Sequence, residues 1–406
     1  MQGTGLFEQA LGLERPWYVE RTEFDAGQRR LDLYLNFEVG GTFACGGCGG
    51  AGCKAYDTAQ KQWRHLNFFE HQAYLHAPSP RVECRECGIR QARLPWARPR
   101  SGFTLLFEAL AMAMMTEMPV KAVARIVGEH DTRLWRIAKH YVNEARAAAD
   151  HSGVRAVGVD EKASRRGHSY VTFFADLDER RLLYATEGRK WGVLGEFRND
   201  LEAHGGSADS VEELCMDMSP AYIKGARESF PDAEITFDRF HVVQLLNQAV
   251  EKVRRTEQKE RPELKRSRWL WLWNPERLSP TQRQRLDELL DPSRIALDTA
   301  RAYQLKLSFQ EFWNLPPALA LRHLQRWCTL AERSGLAPMA TVAATIRAHA
   351  AGILRWLHSR ISNGMLEAMN SLVQAAKVRA RGYRTTENFI TMAYLVCGKL
   401  SFNLPT

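Results

Sequence analysis

The hydrophobic pattern changes period several times along the chain. Between residues 68 and 84, FFEHQAYLHA and PRVEC have the character of short strands, and LPWARPRSG (94–102) then breaks the pattern as an extended linker would, with two prolines, two arginines and a glycine. FTLLFEALAMAMMTE (103–117) sets Leu106, Leu110, Ala113 and Met114 at helical spacing. PVKAVARIVGEHDTRLWRIAKHYV follows with a Pro start, a break at Gly128 and a second helix from about Thr132, the pattern of helix, turn, helix. From residue 154 the period becomes two: VRAVGVD, SYVTFFADL and RRLLYATEG read as a three-stranded meander. A helix (WGVLGEFRNDLEAH), a strand (ELCMDM), a helix opened by Pro220, a strand (AEITFD) and the helix RFHVVQLLNQAVEKVRR come next. The order βββαβαβα predicts a ribonuclease H-like core. From roughly 259 to 355 the strand pattern vanishes into long amphipathic helical segments, an all-helical insertion before a last helical stretch.

Composition narrows the class. A chain of 406 residues exceeds a single core, and 45% hydrophobic residues mark it as globular. No run approaches the roughly 18 apolar residues of a membrane span, and MQGTGLFEQALGLERPWYV lacks the basic start and apolar run of a secretion signal. A soluble, cytoplasmic protein is expected. The net charge of +9 favours a polyanionic partner, with nucleic acid ahead of a membrane surface.

Five of the eight cysteines (Cys45, Cys48, Cys53, Cys84, Cys87) fall within one 43-residue window, which in a long cytoplasmic chain points to metal. CGGC at 45–48 and CREC at 84–87 are C-x2-C knuckles separated by strand-like sequence, a pattern that assembles Cys45, Cys48, Cys84 and Cys87 into a tetrahedral structural zinc site. Cys53 is a bystander in this reading, and His65, His71 and His76 are surface or strand histidines. Unliganded thiols in a Gly-rich loop are the bland alternative. In the helical pair, Ala124, Gly128, Leu134 and Ile137 occupy the small, turn and core positions of a helix-turn-helix motif. Arg133, Arg136, Lys139 and His140 are then left on the exposed side of the second helix to meet a major groove, although short helical pairs also occur as plain packing.

The acids carry the candidate chemistry. Asp160 is expected to end the first core strand and Asp217 the fourth, presenting two carboxylates at one sheet edge; each alone is also a good turn or cap residue. Asp238 and His241 in DRFH add a supporting acid and a proton or phosphate contact, with helix capping an equal account of Asp238. In SNGMLEAMNSLVQAAKVRARGYR (362–384), Leu366, Met369, Leu372, Val373 and Ala376 form the expected buried stripe, and Asn363, Glu367, Asn370 and Ser371 line the other side. Asp160, Asp217 and Glu367 together would hold two Mg²⁺ or Mn²⁺ ions for phosphodiester chemistry, with Lys377, Arg379, Arg381 and Arg384 on the DNA backbone. A solvated glutamate in a basic helix is the plainer reading. Trp269, Trp271 and Trp273 suit core packing more than base stacking.

VGVDEKASRRGHSYVTFFADLDERRLLYATEGR, DMSPAYIKGARESFPDAEITFDRFHVVQLLNQAVEKVR, TARAYQLKLSFQEFW and the 362–384 segment resemble the transposases of the bacterial ISL-three insertion-sequence family, as do WRHL, LPWARP and the knuckles. The resemblance runs almost end to end. It implies a DDE transposase that binds terminal inverted repeats and cleaves and transfers strands, working as a homodimer or larger assembly on double-stranded DNA. Its catalytic triad falls on Asp160, Asp217 and Glu367, and DRFH is similar to the (C/D)-x-x-H signature of related mutator-like transposases. The additional Cys53 in CGGCGGAGC departs from the family pattern. The expected fold class is multidomain, α+β and α/β. Its parts are a zinc-binding β domain (1–97), a helix-turn-helix domain (98–150), a ribonuclease H-like core (151–258 and 356–406) and a helical insertion (259–355).

Overall fold

The computed structural model describes residues 4–165 and 169–404. The chain forms two compact units, one built on the chain up to Arg146 with Val378–Arg381 and the residues from Leu400, the other on Ala147–Lys377 and Gly382–Lys399.

In the first unit a short helix, Thr4–Ala10, leads into a sheet of β1 (Trp17–Asp25), β2 (Arg30–Phe37), β3 (Thr42–Phe43), β4 (Cys53–Arg64), β5 (Gln72–Cys84) and β6 (Gly88–Gln91). The strand order is β1-β2-β5-β4-β3, with β6 on β5. Leu33, Leu35, Trp63 and Leu75 are buried beneath Trp17 and Trp96, whose rings meet edge to face with centroids 4.7 Å apart.

Three helices follow, Leu105–Glu117, Val120–Val127 and Asp131–Ala147. Gly128 ends the second in the left-handed region (φ 70°), a backbone state that a side chain makes costly. Ala124, Leu134 and Ile137 are buried as the motif requires. The first helix corrects the expected face: Leu110 is exposed, while Phe107, Ala111 and Met115 are buried. FTLLFEALAMAMM is apolar nearly all round, so periodicity does not select a side. A buried acid on that helix does, since Glu108 accepts hydrogen bonds from Arg98 Nε (2.8 Å), Ser101 Oγ (2.7 Å) and Tyr141 Oη (2.9 Å). Arg64 of WRHL is buried as well, donating to the carbonyls of Ala73 (3.1 Å) and Val127 (3.4 Å) and so joining the sheet to the helical turn.

The second unit holds β7 (Ala156–Ala163), β8 (Tyr170–Asp176), β9 (Arg181–Glu187), β10 (Glu213–Met216) and β11 (Glu234–Phe237). The strand order is β11-β10-β7-β8-β9, with β7, β8 and β9 antiparallel and β10 parallel to both β7 and β11. That mixed sheet is the ribonuclease H-like arrangement. Helices Val193–Ala203, Pro220–Ser229 and Arg239–Glu257 separate and follow the last strands. One core cluster runs from Val157, Phe174 and Phe197 to Trp271, Trp313 and Trp327 of the following helical region.

The tryptophan run divides. It forms a short helix, Arg268–Leu272, with Trp271 fully buried and its Nε1 donating to Ser267 Oγ (2.9 Å). Trp269 and Trp273 stay about half exposed, their rings 5.7 Å apart. The carbonyls of Trp271 and Leu272 accept hydrogen bonds from buried Lys306 Nζ at 2.9 and 3.0 Å, and burial lowers that ammonium's pKa to about 8.

Candidate active site and cysteine knuckles

Gly158 lets the glutamate-bearing helix reach the central strand. A Cβ there would lie 2.6 Å from Leu366 Cδ1, 2.8 Å from Leu177 Cδ2 and 3.0 Å from Asn363 Oδ1, so a side chain would force the side chains packed between the helix Gly364–Arg379 and β7 to shift. Two residues on, Asp160 points from inside β7 rather than from its end, since the strand continues to Ala163. Its Oδ1 accepts the Glu161 backbone N–H (2.8 Å) and its Oδ2 accepts Asn370 Nδ2 (2.6 Å). Asp217 directly follows β10, where its Oδ1 accepts the Ser219 N–H (2.8 Å) at the start of the helix from Pro220.

Asp238 directly follows β11 and its backbone N–H continues the ladder to Met216 O (2.9 Å). The carboxylate occupies the N-cap position of the helix Arg239–Glu257 without a capping bond, and accepts the Asn363 N–H at 3.3 Å instead. His241 Nε2 lies 4.0 Å from Asp238 Oδ2. Glu367 sits in the first turn of its helix, exposed.

The carboxyls are electrostatically joined. Burial raises the pKa of Asp160, with the nearby Asp217 charge adding to it and His241 opposing. Burial, then Asp217, raises Asp238 against the pull of His241, while Glu367 is raised by burial and by the charges of Asp238 and Asp160. Among the described residues, these acids are not among the groups whose ligand atoms all lie within 4.8 Å of one another. Like charges hold such groups apart, and a site for two ions about 4 Å apart is wider than one ion's shell.

The helix carrying Glu367 also departs from the expected pattern. Leu372 is exposed, and Asn363 and Asn370 are buried at 1% and 3%. Sequence places these asparagines beside Glu367 but assigns them no contact; in the structure Asn370 grips Asp160, and Asn363 Nδ2 donates to Val159 O (3.0 Å). The adjacent Glu161 is committed elsewhere, to Tyr222 Oη (3.3 Å) and Arg189 (3.4 Å).

The predicted basic residues fall into different settings. Arg136, Arg379, Arg381 and Arg384 are exposed. Arg133 pairs with Glu129 (2.6 Å) and lies over the Phe103 ring (4.1 Å), and Lys377 Nζ donates to Ala163 O (2.9 Å). Lys139 and His140 are half-buried on the helix from Asp131.

The four predicted cysteines do converge. Cys45, Cys48, Cys84 and Cys87 place their sulfurs within 4.8 Å of one another, with Cys48 and Cys84 at 3.6 Å. Gly47 N–H and Gly50 N–H donate to Cys45 Sγ (3.3 Å) and Cys48 Sγ (3.4 Å), and the Cys87 and Glu86 amides bring the Cys84 thiol down to about 7. Such donors favour the thiolate that a metal needs. The glycines of CGGC fit close approaches, since a Cβ on Gly46 would meet Gln91 O at 2.4 Å and one on Gly47 would meet Cys87 Sγ at 3.1 Å. Cys53 stays outside the four, its sulfur 3.6 Å from Gly50 O. His65 is a half-buried, neutral partner of Thr104 (2.9 Å), its pKa lowered to about 4 by burial, and His76 pairs with Asp32 (2.6 Å).

Residues 157–393 match a family model described as a transposase, of the DDE type in ISL3 elements. The chain belongs to the ISL3 family of DDE transposases. Residues 92–142 match the helix-turn-helix domain of transposase family ISL3, and 41–87 match the zinc-finger of the transposases of IS204, IS1001, IS1096 and IS1165. This transposase is 30% identical to the transposase for insertion sequence element IS1001 of Bordetella parapertussis, over 94% of this chain and 95% of that one. It is 28% identical to the transposase for IS1557 of Mycobacterium tuberculosis, over 97% and 96%. The cysteine cluster is therefore that of a zinc ribbon, and its all-thiolate set suits structural zinc. No described helix of the transposase is long and apolar enough to cross a membrane.

Proposed function

We propose that this ISL3 transposase binds the terminal inverted repeats of a bacterial insertion sequence and cleaves and transfers DNA strands at Asp160, Asp217 and Glu367. The observation that supports the reading is that Asp160 on β7 lies within electrostatic reach of Asp217 at the end of β10 and of Glu367 on the helix Gly364–Arg379: burial raises the pKa of Asp160 and Glu367, and the neighbouring acids add to it. The surrounding donors suit a hard cation. They are all oxygens, and Asp238 Oδ2, Asn363 Oδ1 and Asn370 Oδ1 are buried without a hydrogen-bond partner.

Bound at the three acids, Mg²⁺ or Mn²⁺ would supply Lewis-acid activation of the phosphodiester and of the attacking oxygen. The chain's own groups do the rest. Asn370 orients Asp160, the Asn363 amide orients Asp238, and His241 beside Asp238 holds a proton or a phosphate oxygen. Arg133, Arg136 and Lys139 of the second motif helix, with Lys377, Arg379, Arg381 and Arg384, contact the DNA backbone, and repeat pairing brings two or more copies together. In this reading the zinc domain spans 1–97, the helix-turn-helix domain 98–150, the core 151–258 and 356–406, and the helical insertion 259–355; the protein works in the bacterial cytoplasm.

The test is cleavage and strand transfer on DNA carrying paired element ends, with Mg²⁺ or Mn²⁺, for wild type, Asp160→Ala and Glu367→Gln. The expected result is metal-dependent nicking at the element boundary that both variants lose while still binding the ends. Tight binding without nicking by the wild type would instead make the chain a DNA-binding regulator, and nicking by Glu367→Gln at the wild-type rate would reject the triad.

A further inference from the structure

A second metal-ligating constellation stands in the core unit, and the strand-transfer reading makes no use of it. His151, Asp200 and His204 place three ligand atoms within 4.8 Å of one another. Asp200 and His204 are four residues apart at the C-terminal end of the helix Val193–Ala203, with His204 at the C-cap, a spacing that sets both on one side. His151 lies in the segment that enters β7, and its backbone N–H donates to His204 O at 2.9 Å, so the two segments are already pinned together.

The side chains are sheltered and pre-oriented. His151 is 3% exposed, and the side chains of Asp200 and His204 are 14% and 13% exposed. The two imidazole centroids are 4.7 Å apart with planes tilted by 33°. His204 Nδ1 lies 2.6 Å from Asp200 O and 3.6 Å from Asp200 Oδ2. Donation from Nδ1 to that carbonyl leaves the lone pair on Nε2, and a carbonyl partner of this kind commonly fixes the tautomer of a metal-bound histidine.

Two imidazoles and one carboxylate form a nitrogen-rich donor set that selects a borderline first-row ion over Mg²⁺. We infer that His151, Asp200 and His204 bind a zinc ion, with water as the fourth ligand, separate from the cysteine-ligated one. The ion clamps the entry to β7 onto the helix that follows β9, closing a long loop of chain where a crosslink restrains the unfolded state most.

The experiment uses the full-length chain equilibrated with excess Zn²⁺, freed of loose metal by gel filtration and assayed for zinc per chain. Two ions are expected for wild type and one for Asp200→Asn and His204→Ala, with circular dichroism checking that the variants are folded. Zn²⁺ should also raise the melting temperature of the wild type by several degrees more than that of Asp200→Asn. Co²⁺ substitution separates the candidate sites. The cysteine site shows sulfur-to-metal charge-transfer bands in the near ultraviolet, so a second equivalent that adds visible d–d absorption without further charge transfer, kept in Asp160→Ala and lost in Asp200→Asn, supports the site. One zinc per wild-type chain, a second Co²⁺ that brings thiolate bands, or an unchanged zinc content in folded variants overturns it.

Discussion

The cysteine knuckles and the acids of the proposed catalytic site are built on opposite principles. The four sulfurs come from two short turns, lie within 4.8 Å of one another and are met by backbone N–H donors. The acids come from three distant parts of the sequence, and burial, with the charges of neighbouring acids added to it, pushes Asp160, Asp238 and Glu367 toward their neutral forms. The supports differ in the same way. The knuckles stand in a small sheet whose own core is modest, whereas the acids sit on a large, continuous hydrophobic cluster. Zinc at the knuckles would contribute to folding, whereas the ion proposed for the acids would bind to a fold that already has a large core of its own.

The comparison breaks first at the knuckles if it is wrong. Cys84→Ser should release zinc, whose binding energy in small modules is on the order of 10 kcal/mol, and unfold the sheet around Trp17, Trp63 and Trp96. Near-ultraviolet circular dichroism and zinc content read this directly, and a retained tryptophan signal would show a sheet independent of metal. Asp160→Ala should lower strand cleavage by at least ~10³-fold, about 4 kcal/mol in the barrier, while the melting temperature hardly moves. A variant that unfolds would make the acids structural after all.

Two glycines sharpen the contrast at smaller cost. Gly46→Ala and Gly158→Ala each bring a Cβ within 2.4 Å of Gln91 O or 2.6 Å of Leu366 Cδ1, a clash worth about 2 kcal/mol. Urea midpoints should fall for both, with zinc retention impaired only in the first and cleavage, followed on end-joined DNA, chiefly in the second. The smallest effect is on pH dependence. Because the three carboxyls titrate above their ordinary values of 3.8 for Asp and 4.5 for Glu, the folded core holds protons that the unfolded chain has already lost. Stability should therefore decline as pH rises from about 4 through the raised values. Thermal melts should show Mg²⁺ restoring it at pH 7 and adding little at pH 4, with a flatter profile for Asp160→Asn; a core that gained stability across that window would contradict the raised pKa values.

What sequence determined by itself was whatever depends on neighbours in the chain. The C-x2-C spacing marked four ligands, alternation marked β7, β8 and β9, and Gly128 marked the turn of the helix pair, because turns, strand faces and caps are decided within a few residues. Strand order then followed from a few topological rules, and it placed Asp160, Asp217 and Asp238 near one sheet edge, although Asp160 proved to lie within its strand. Tertiary structure alone decided which face of an all-apolar helix is buried, so Phe107 went in and Leu110 out, and which tryptophan of a run is core. It also turned Asn363 and Asn370 inward and brought His151 to Asp200 and His204. Such choices turn on partners supplied by segments far along the chain. Burying a polar side chain is eased where a distant group takes a hydrogen bond from it, as Val159 O does for Asn363 and Asp160 for Asn370, and no local spacing records that group.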